Sequence, residues 1–278
     1  YNRIDKDLFD KIYFFDDNST DKSFEIAKKF EWVTFKNKKN LGHGGNLKQA
    51  IKKAFEDGAD YVLEIHADNQ YNPNLISEAK KFIDEDFALI IGSRFVNKNP
   101  HKQEGMPYLR YISNKLMSGM TSKLLSIKLT EFHTGFKIFG KKFYEIVPFE
   151  NCSNNYLFSF QIILMTKFFN LKYNEISITA DYGKHVNSCN YTNGLIYLIF
   201  NFTEIFYYFL AKFNIFKKKI PSSLRSKCTF LNDVDKKKQQ EILGLPIKKI
   251  KYAVNRDYTL PFIFNGNRNH RENLNKFV

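Results

Sequence analysis

Apolar residues in this chain gather in short runs, and most runs end on a polar cluster. Lys11–Phe15, Trp32–Phe35, Tyr61–Ile65 and Phe87–Ile91 are four or five residues long and rich in aromatic and β-branched side chains. That pattern predicts short buried strands. Between them the apolar positions change to helical spacing. Phe24, Ile26, Ala27 and Phe30 mark a helix over roughly 21–30, with Ser19 or Thr20 as its cap. Leu47, Ala50, Ile51, Ala54 and Phe55 mark a second helix, stopped by Gly58, and a third covers roughly 74–84. Alternating strand and helix predicts an α/β domain with a mostly parallel sheet covered on both faces by helices. The four strands are expected to be neighbours. After residue 110 the pattern turns helical, and Gly135–Phe139 and Lys172–Thr179 then add strands around an apolar helix over Tyr156–Phe169.

The polar clusters stand where ligands bind in open α/β sheets, outside the carboxyl ends of the strands. They are Asp16–Asp21, Asn40–Asn46, His66–Gln70, Gly92–Arg94 and Glu131–Gly135. Strand alternation predicts that His66, Asp68 and Gln70 point the same way. An imidazole, a carboxylate and an amide oxygen there can share Mg2+ or Mn2+ with phosphate oxygens, or Asp68 simply caps a turn closed by Pro73. Asp16 and Asp17 can accept hydrogen bonds from a ribose or a base, or Asp17 caps the next helix. Gly42, Gly44 and Gly45 precede a helix and permit close backbone approach to an anion, although they form neither a Walker A sequence nor a full GxGxxG. Arg94 suits a bidentate phosphate contact or a surface ion pair. Glu131 and His133 can orient a sugar or take a proton.

Composition adds an expectation about partners. The formal charge of +14 points to nucleotide phosphates, an acidic membrane surface or nucleic acid, unless it reflects codon bias towards lysine. No helix-turn-helix, RRM or zinc-finger pattern accompanies it, so no nucleic acid is expected. Cys152, Cys189 and Cys228 have no CxxC spacing and look like free thiols of a reducing compartment. Gly194–Phe216 is rich in Ile, Leu, Phe and Tyr and is followed by Lys217, Lys218 and Lys219. Asn201, Glu204, Lys212 and Asn214 interrupt it, which disfavours a membrane span. An amphipathic helix with a basic end, lying in a membrane interface or packed on the domain's own core, is expected instead.

Taken together, the clusters resemble glycosyltransferase family 2, closest to the dolichol-phosphate mannosyltransferase type and its bacterial relatives. The matching residues are Asp-Asp-x-Ser-x-Asp at 16–21, Asn-x-Gly-x-Gly-Gly at 40–45 and x-x-Asp-x-Gln at 66–70. Gly-Ser-Arg at 92–94 and Thr-Gly-Phe-Lys at 134–137 follow in family order. A bacterial subgroup shares His66, Gly-Met-Pro at 105–107 and Glu-x-His-Thr-Gly at 131–135. The resemblance implies a GT-A-like fold and metal-assisted sugar transfer from a nucleotide-diphosphate sugar to a polyprenyl phosphate or glycan. It assigns Asp16, Asp17, Ser19, Asn40, Gly42, Gly44 and His66 to the nucleotide. Asp68 and Gln70, with His66, would hold Mg2+ or Mn2+. Arg94 and Arg110 would meet the acceptor phosphate, and Asp68, Arg94, Glu131 and His133 would form the catalytic group.

Three departures accompany the likeness. The family's first strand, with its Pro-x-Tyr-Asn-Glu segment, is not found, His66 replaces a carboxylate, and Asn154-Asn155 replaces a carboxylate pair. The alternative expectation is therefore a non-catalytic, sugar-nucleotide- or membrane-binding relative. The expected organisation is a truncated glycosyltransferase-like domain over 1–194, the amphipathic helix over 195–219 and a tail of unknown role over 220–278. No signal peptide opens the chain, so the expected location is cytoplasmic, peripheral at the membrane face.

Overall fold

The computed structural model describes residues 3–183, 191–212, 226, 228–231, 234–243 and 262–264. The chain divides into two compact units, Tyr1–Asn201 and Phe202–Val278. In the first, strands β1 (Tyr13–Asp16), β2 (Val33–Lys36), β3 (Tyr61–Glu64) and β4 (Leu89–Ser93) stand within two residues of their expected places. Helices α1 (Ser23–Ala27) and α2 (His43–Glu56) separate the first three. The helix expected over 74–84 is a 3-10 segment, Pro73–Ala79, that continues as α3 (Lys80–Asp84). Beyond β4 lie α4 (Pro100–Glu104), α5 (Tyr108–Leu125), β5 (Lys137–Gly140), α6 (Lys141–Ile146), α7 (Phe158–Phe168) and β6 (Tyr173–Ser177).

Helices flank the sheet as expected, but the strand directions and neighbours differ from the expected arrangement. β1 and β2 form a separate parallel pair. The main sheet has the order β3-β5-β4-β6, with β5 antiparallel to both β3 and β4, and β6 parallel to β4. The expectation of a mostly parallel sheet holding all four early strands is corrected on this point. The reason is that β5, a later strand, inserts between β3 and β4. Its Lys137–Gly140 run is completely buried, as is Leu89–Ser93 of β4, so these two take the centre.

The core lies between this sheet and its helices. Ile90, Phe136, Ile138, Ile176 and Ile178 close one side of it with Ala79. Each such side chain contributes about 1.5–3 kcal/mol on full burial. Helix α2 packs against both β1 and β3, which are not hydrogen-bonded to each other. A cavity opens between those two strands under α2, lined by Tyr13 and Phe15 of one and Tyr61 and Leu63 of the other.

Helix α8 (Tyr191–Lys212) spans the division between the units. The second unit also contains β7 (Cys228–Phe230), α9 (Lys236–Leu243) and β8 (Phe262–Phe264), with β7 antiparallel to β8. Leu231 packs there with Val234, Ile242 and Leu243. Among the described residues no helix is long and apolar enough to cross a membrane. Cys189, Asn214 and the basic residues Lys217, Lys218 and Lys219 lie outside the described residues.

Candidate active site

The cavity between β1 and β3 extends past the ends of the strands and gathers seven of the residues singled out from the sequence. Asp17, His66, Asp68, Gln70, Arg94, Arg110 and His133 all line it. Asp16, Ser19, Asn40, Gly42, Gly44 and Glu131 do not, and each of these is engaged elsewhere.

Asp17 and the glycine segment organise one wall. The Asp17 carboxylate accepts hydrogen bonds from the backbone N–H of Leu41 (2.8 Å) and Gly42 (2.9 Å) and from Asn37 Nδ2 (2.9 Å). Asn40 Nδ2 donates to the Asp17 carbonyl, and Asn40 Oδ1 accepts from Gly42 N. Gly42 has φ +80, and a Cβ there would stand 2.5 Å from the Asn154 carbonyl oxygen. A Cβ on Gly44 would stand 2.4 Å from the Ser153 carbonyl oxygen. The chain's own 153–155 segment makes a close backbone approach at these glycines. Asp16 is buried, with one carboxylate oxygen accepting from Ser19 N and the other without a hydrogen-bond partner among the described residues.

The opposite wall begins where β3 ends, at Glu64. Strand alternation stops there, and His66, Asp68 and Gln70, expected to point the same way, all line the cavity from the loop that follows. Asn69 is left-handed at φ 62, and Asp68 Oδ1 closes a tight turn by accepting from Gln70 N at 3.0 Å. His66 turns inward under Gly135, where an added Cβ would stand 2.6 Å from its ring. Its Nε2 lies 3.7 Å from Glu64 Oε1. Asp68 and Gln70 keep their place on the cavity wall and bring oxygen donors there, the type that Mg2+ and Mn2+ take.

Arg94 and Glu131 occupy each other. Arg94 Nε donates to Glu131 Oε1 at 2.9 Å, Nη2 donates to the same oxygen, and the Arg94 backbone N–H donates to Oε2 at 2.8 Å. Nη1 reaches the Tyr182 hydroxyl at 2.8 Å. Both partners are buried. Burial alone lowers an arginine pKa, but the adjacent carboxylate outweighs it and holds the guanidinium well above its ordinary value. In this geometry the Glu131 carboxylate faces Arg94 and does not line the cavity. His133 Nδ1 lies 3.2 Å from the Tyr197 hydroxyl, and its buried Nε2 has no hydrogen-bond partner among the described residues. Burial first, then the charges of Arg94 and Lys137, push the His133 imidazole down to about 3. A ring so reluctant to be protonated is a weak base near neutrality.

Comparison with known proteins identifies the frame. A model of glycosyl transferase family 2 matches residues 2–147, more than half of the chain. The chain belongs to glycosyl transferase family 2. It is 25% identical over 202 residues to the UDP-N-acetylglucosamine–dolichyl-phosphate N-acetylglucosaminyltransferase of Methanococcus voltae, covering 66% of this chain and 80% of that one. It is 28% identical over 183 residues to an uncharacterized protein of Methanocaldococcus jannaschii, covering 66% of this chain and 74% of the relative. Among solved structures it resembles the glucosyl-3-phosphoglycerate synthase of Mycobacterium tuberculosis bound to phosphoglyceric acid. There the TM-score is 0.52 at 12% identity, over 72% of this chain and 69% of the other. A complex of that enzyme with Mn2+, UDP and phosphoglyceric acid gives 0.50 at 15% identity, over 82% of this chain and 74% of the other. These likenesses confirm the GT-A type of α/β fold, and the chain is a glycosyltransferase.

Sequence reasoning missed four residues on or beside this glycosyltransferase's cavity. His43, Glu64 and Lys137 meet at its inner end, with Glu64 Oε1 3.6 Å from His43 Nε2 and Oε2 3.9 Å from Lys137 Nζ. A signal for the last two existed: Glu64 and Lys137 interrupt apolar runs, and they are register partners between β3 and β5. Tyr182, the partner of Arg94, carried no such signal. The outer face of α5 also went unrecognised. Leu109, Ile112, Leu116, Met120 and Leu124 are 40–60% exposed there, while Met117, Thr121 and Leu125 turn inward. Their spacing of three or four residues was legible as one helical stripe.

Proposed function

We propose that this glycosyltransferase moves a sugar from a nucleotide-diphosphate donor, with a divalent ion, to a phosphate group carried on a polyprenyl lipid. The observation that carries the reading is the joint placement of Asp17, Asp68, Gln70 and Arg110 on one cavity. Arg110 lies in the first turn of α5, and the exposed apolar stripe of α5 begins beside it at Leu109. An apolar face of that kind suits a lipid surface. The acceptor of the Methanococcus voltae relative is dolichyl phosphate by name, which favours the same class here.

The residues present fit the ion that the fold family implies. Asp68 and Gln70 would hold it through oxygens, as Mg2+ and Mn2+ prefer, with diphosphate oxygens and water completing the shell. Bound there, it would supply positive charge where the leaving diphosphate develops negative charge. Asp17 has spent three of about four acceptor directions on the 37–42 segment. One remains for the nucleoside.

Chemistry favours a phosphate acceptor over a sugar hydroxyl. A hydroxyl nucleophile calls for a base, yet Glu131 is held by Arg94 and His133 resists protonation. A phosphate monoester is already anionic at neutral pH, with its second pKa near ~6. Its oxygen can attack the anomeric carbon while the bond to the diphosphate oxygen breaks, and no proton needs to be taken. Arg110 would steer that anion into the cavity. The test is a pair of acceptors differing by one group. Polyprenyl phosphate should be glycosylated and the corresponding polyprenol should not; equal transfer to both would overturn the acceptor assignment.

A further inference from the structure

We propose that His43, Glu64 and His66 form a binding site for one zinc-type transition-metal ion, separate from the oxygen-bound ion of sugar transfer. The three residues come from three places: the first residue of α2, the last of β3 and the loop that follows. Glu64 Oε1 lies 3.6 Å from His43 Nε2 and 3.7 Å from His66 Nε2, and no two of the three ligand atoms are more than 4.8 Å apart. Ligands bound at about 2.0–2.2 Å to a tetrahedral ion stand roughly 3.3–3.6 Å from one another. The two gaps from Glu64 are too long for hydrogen bonds and close to those an ion would set.

Two of the three groups also lack hydrogen-bond partners among the described residues, while His43 Nε2 meets Ser159 Oγ at 3.3 Å. Glu64 is 5% exposed, and neither of its oxygens nor His66 Nε2 has a hydrogen bond among the described residues. A buried carboxylate without hydrogen bonds is costly, and native structures rarely tolerate it without a compensating cation. The rings are held in place before any ion arrives. His43 stacks on Tyr156 with centroids 5.1 Å apart, and His66 meets His43 edge-on at 5.3 Å. Gly135 leaves room for the His66 ring, as an added Cβ would overlap it.

The cation already nearby is Lys137, whose ammonium donates to the Thr134 carbonyl and stands 3.9 Å from Glu64 Oε2. It faces the oxygen turned away from the imidazoles, so Oε1 stays free for an ion. A simple Glu64–Lys137 ion pair is the competing account, and it gives the convergent histidines no part. Two nitrogens and one oxygen select Zn2+ or Co2+ over Mg2+. Three protein ligands leave a position open towards the cavity, which His43, Glu64 and His66 all line. An ion on His43 Nε2 would replace the hydrogen bond that this nitrogen makes with Ser159 Oγ at 3.3 Å.

Co2+ is a suitable probe because its absorption reports tetrahedral nitrogen ligation. The chelator-treated full chain should bind one Co2+ with that spectrum, and Zn2+ should displace it. Glu64→Gln and His66→Gln should each weaken Co2+ binding at least tenfold. Gly135→Ala should do the same by displacing the His66 ring while every ligand remains. Asp68→Asn should leave the spectrum unchanged, which separates this site from the donor-phosphate ion. If Glu64→Gln fails to fold by circular dichroism, His66→Gln decides, since that ring is at the cavity edge. An absent Co2+ spectrum in the wild type, or one indifferent to His66→Gln, would overturn the site and favour the plain ion pair. A spectrum lost in Asp68→Asn would overturn it as well.

Discussion

The buried Arg94–Glu131 pair makes the sharpest energetic prediction. Glu131 is fully buried and Arg94 is 3% exposed, and the carboxylate accepts from Arg94 Nε, Nη2 and backbone N–H. In Glu131→Gln the side-chain shape is kept, but the charge is lost and an amide NH2 faces a guanidinium. Removing one partner of a buried pair typically costs about 3–5 kcal/mol, because the remaining charge has no counter-ion. Lys137, buried nearby, loses the support of the same carboxylate. For a unit of this size each kcal/mol moves the midpoint by about 2–4 °C, so Tm should fall by roughly 6–20 °C. Arg94→Met/Glu131→Leu removes both charges and should recover most of the loss, as apolar replacements of buried pairs often do. Urea and thermal unfolding of the two variants against the wild type give the answer. A loss below about 1 kcal/mol in Glu131→Gln would refute the reasoning, since that is the range of a solvated surface pair.

Further expectations follow from other parts of the site. His133 is held near 3 when folded against about 6.5 when unfolded, so on acidification the unfolded chain takes the proton first. Its share of stability is lost as pH falls below 6.5, by about 2 kcal/mol between pH 7 and 5, and His133→Asn should shrink the measured pH dependence by that amount. Gly44→Ala puts a methyl 2.4 Å from the Ser153 carbonyl oxygen and should cost about 1–3 kcal/mol in urea unfolding. Leu116→Glu, in the exposed stripe of α5, should reduce co-sedimentation with polyprenyl-phosphate vesicles while leaving Tm within 2–4 °C, about 1 kcal/mol.

Much of the fold was legible because its elements are short and sharply bounded. Tyr61–Glu64 stands where an aromatic and β-branched run placed it, Tyr173–Ser177 where the alternation over Lys172–Thr179 did, and Phe158–Phe168 where a largely apolar stretch did. Pairing was not legible, since a fully buried run such as Leu89–Ser93 satisfies any central position and does not specify its neighbours. Lys137–Gly140 therefore entered between two strands expected to be adjacent. In the site, the cavity position of Asp17, Asp68 and Arg94 agreed with polar clusters placed at strand ends. What escaped was how those side chains are occupied. Glu131 claims Arg94, Asp17 claims the Leu41 and Gly42 amides, and His66 turns towards Glu64 once β3 stops. The first two outcomes depend on residues brought together over tens of positions, and the third on where β3 stops, neither of which local spacing encodes.

The central claim is that Asp68 serves metal-assisted transfer from a nucleotide sugar in this cavity. Its most direct test is turnover of labelled nucleotide sugars onto polyprenyl phosphate, with and without Mn2+, in the wild type and Asp68→Asn. The account predicts Mn2+-dependent transfer that drops by about a hundredfold or more in Asp68→Asn, with its unfolding curve unchanged. Transfer that proceeds equally well in Asp68→Asn, or without any divalent ion, would contradict it.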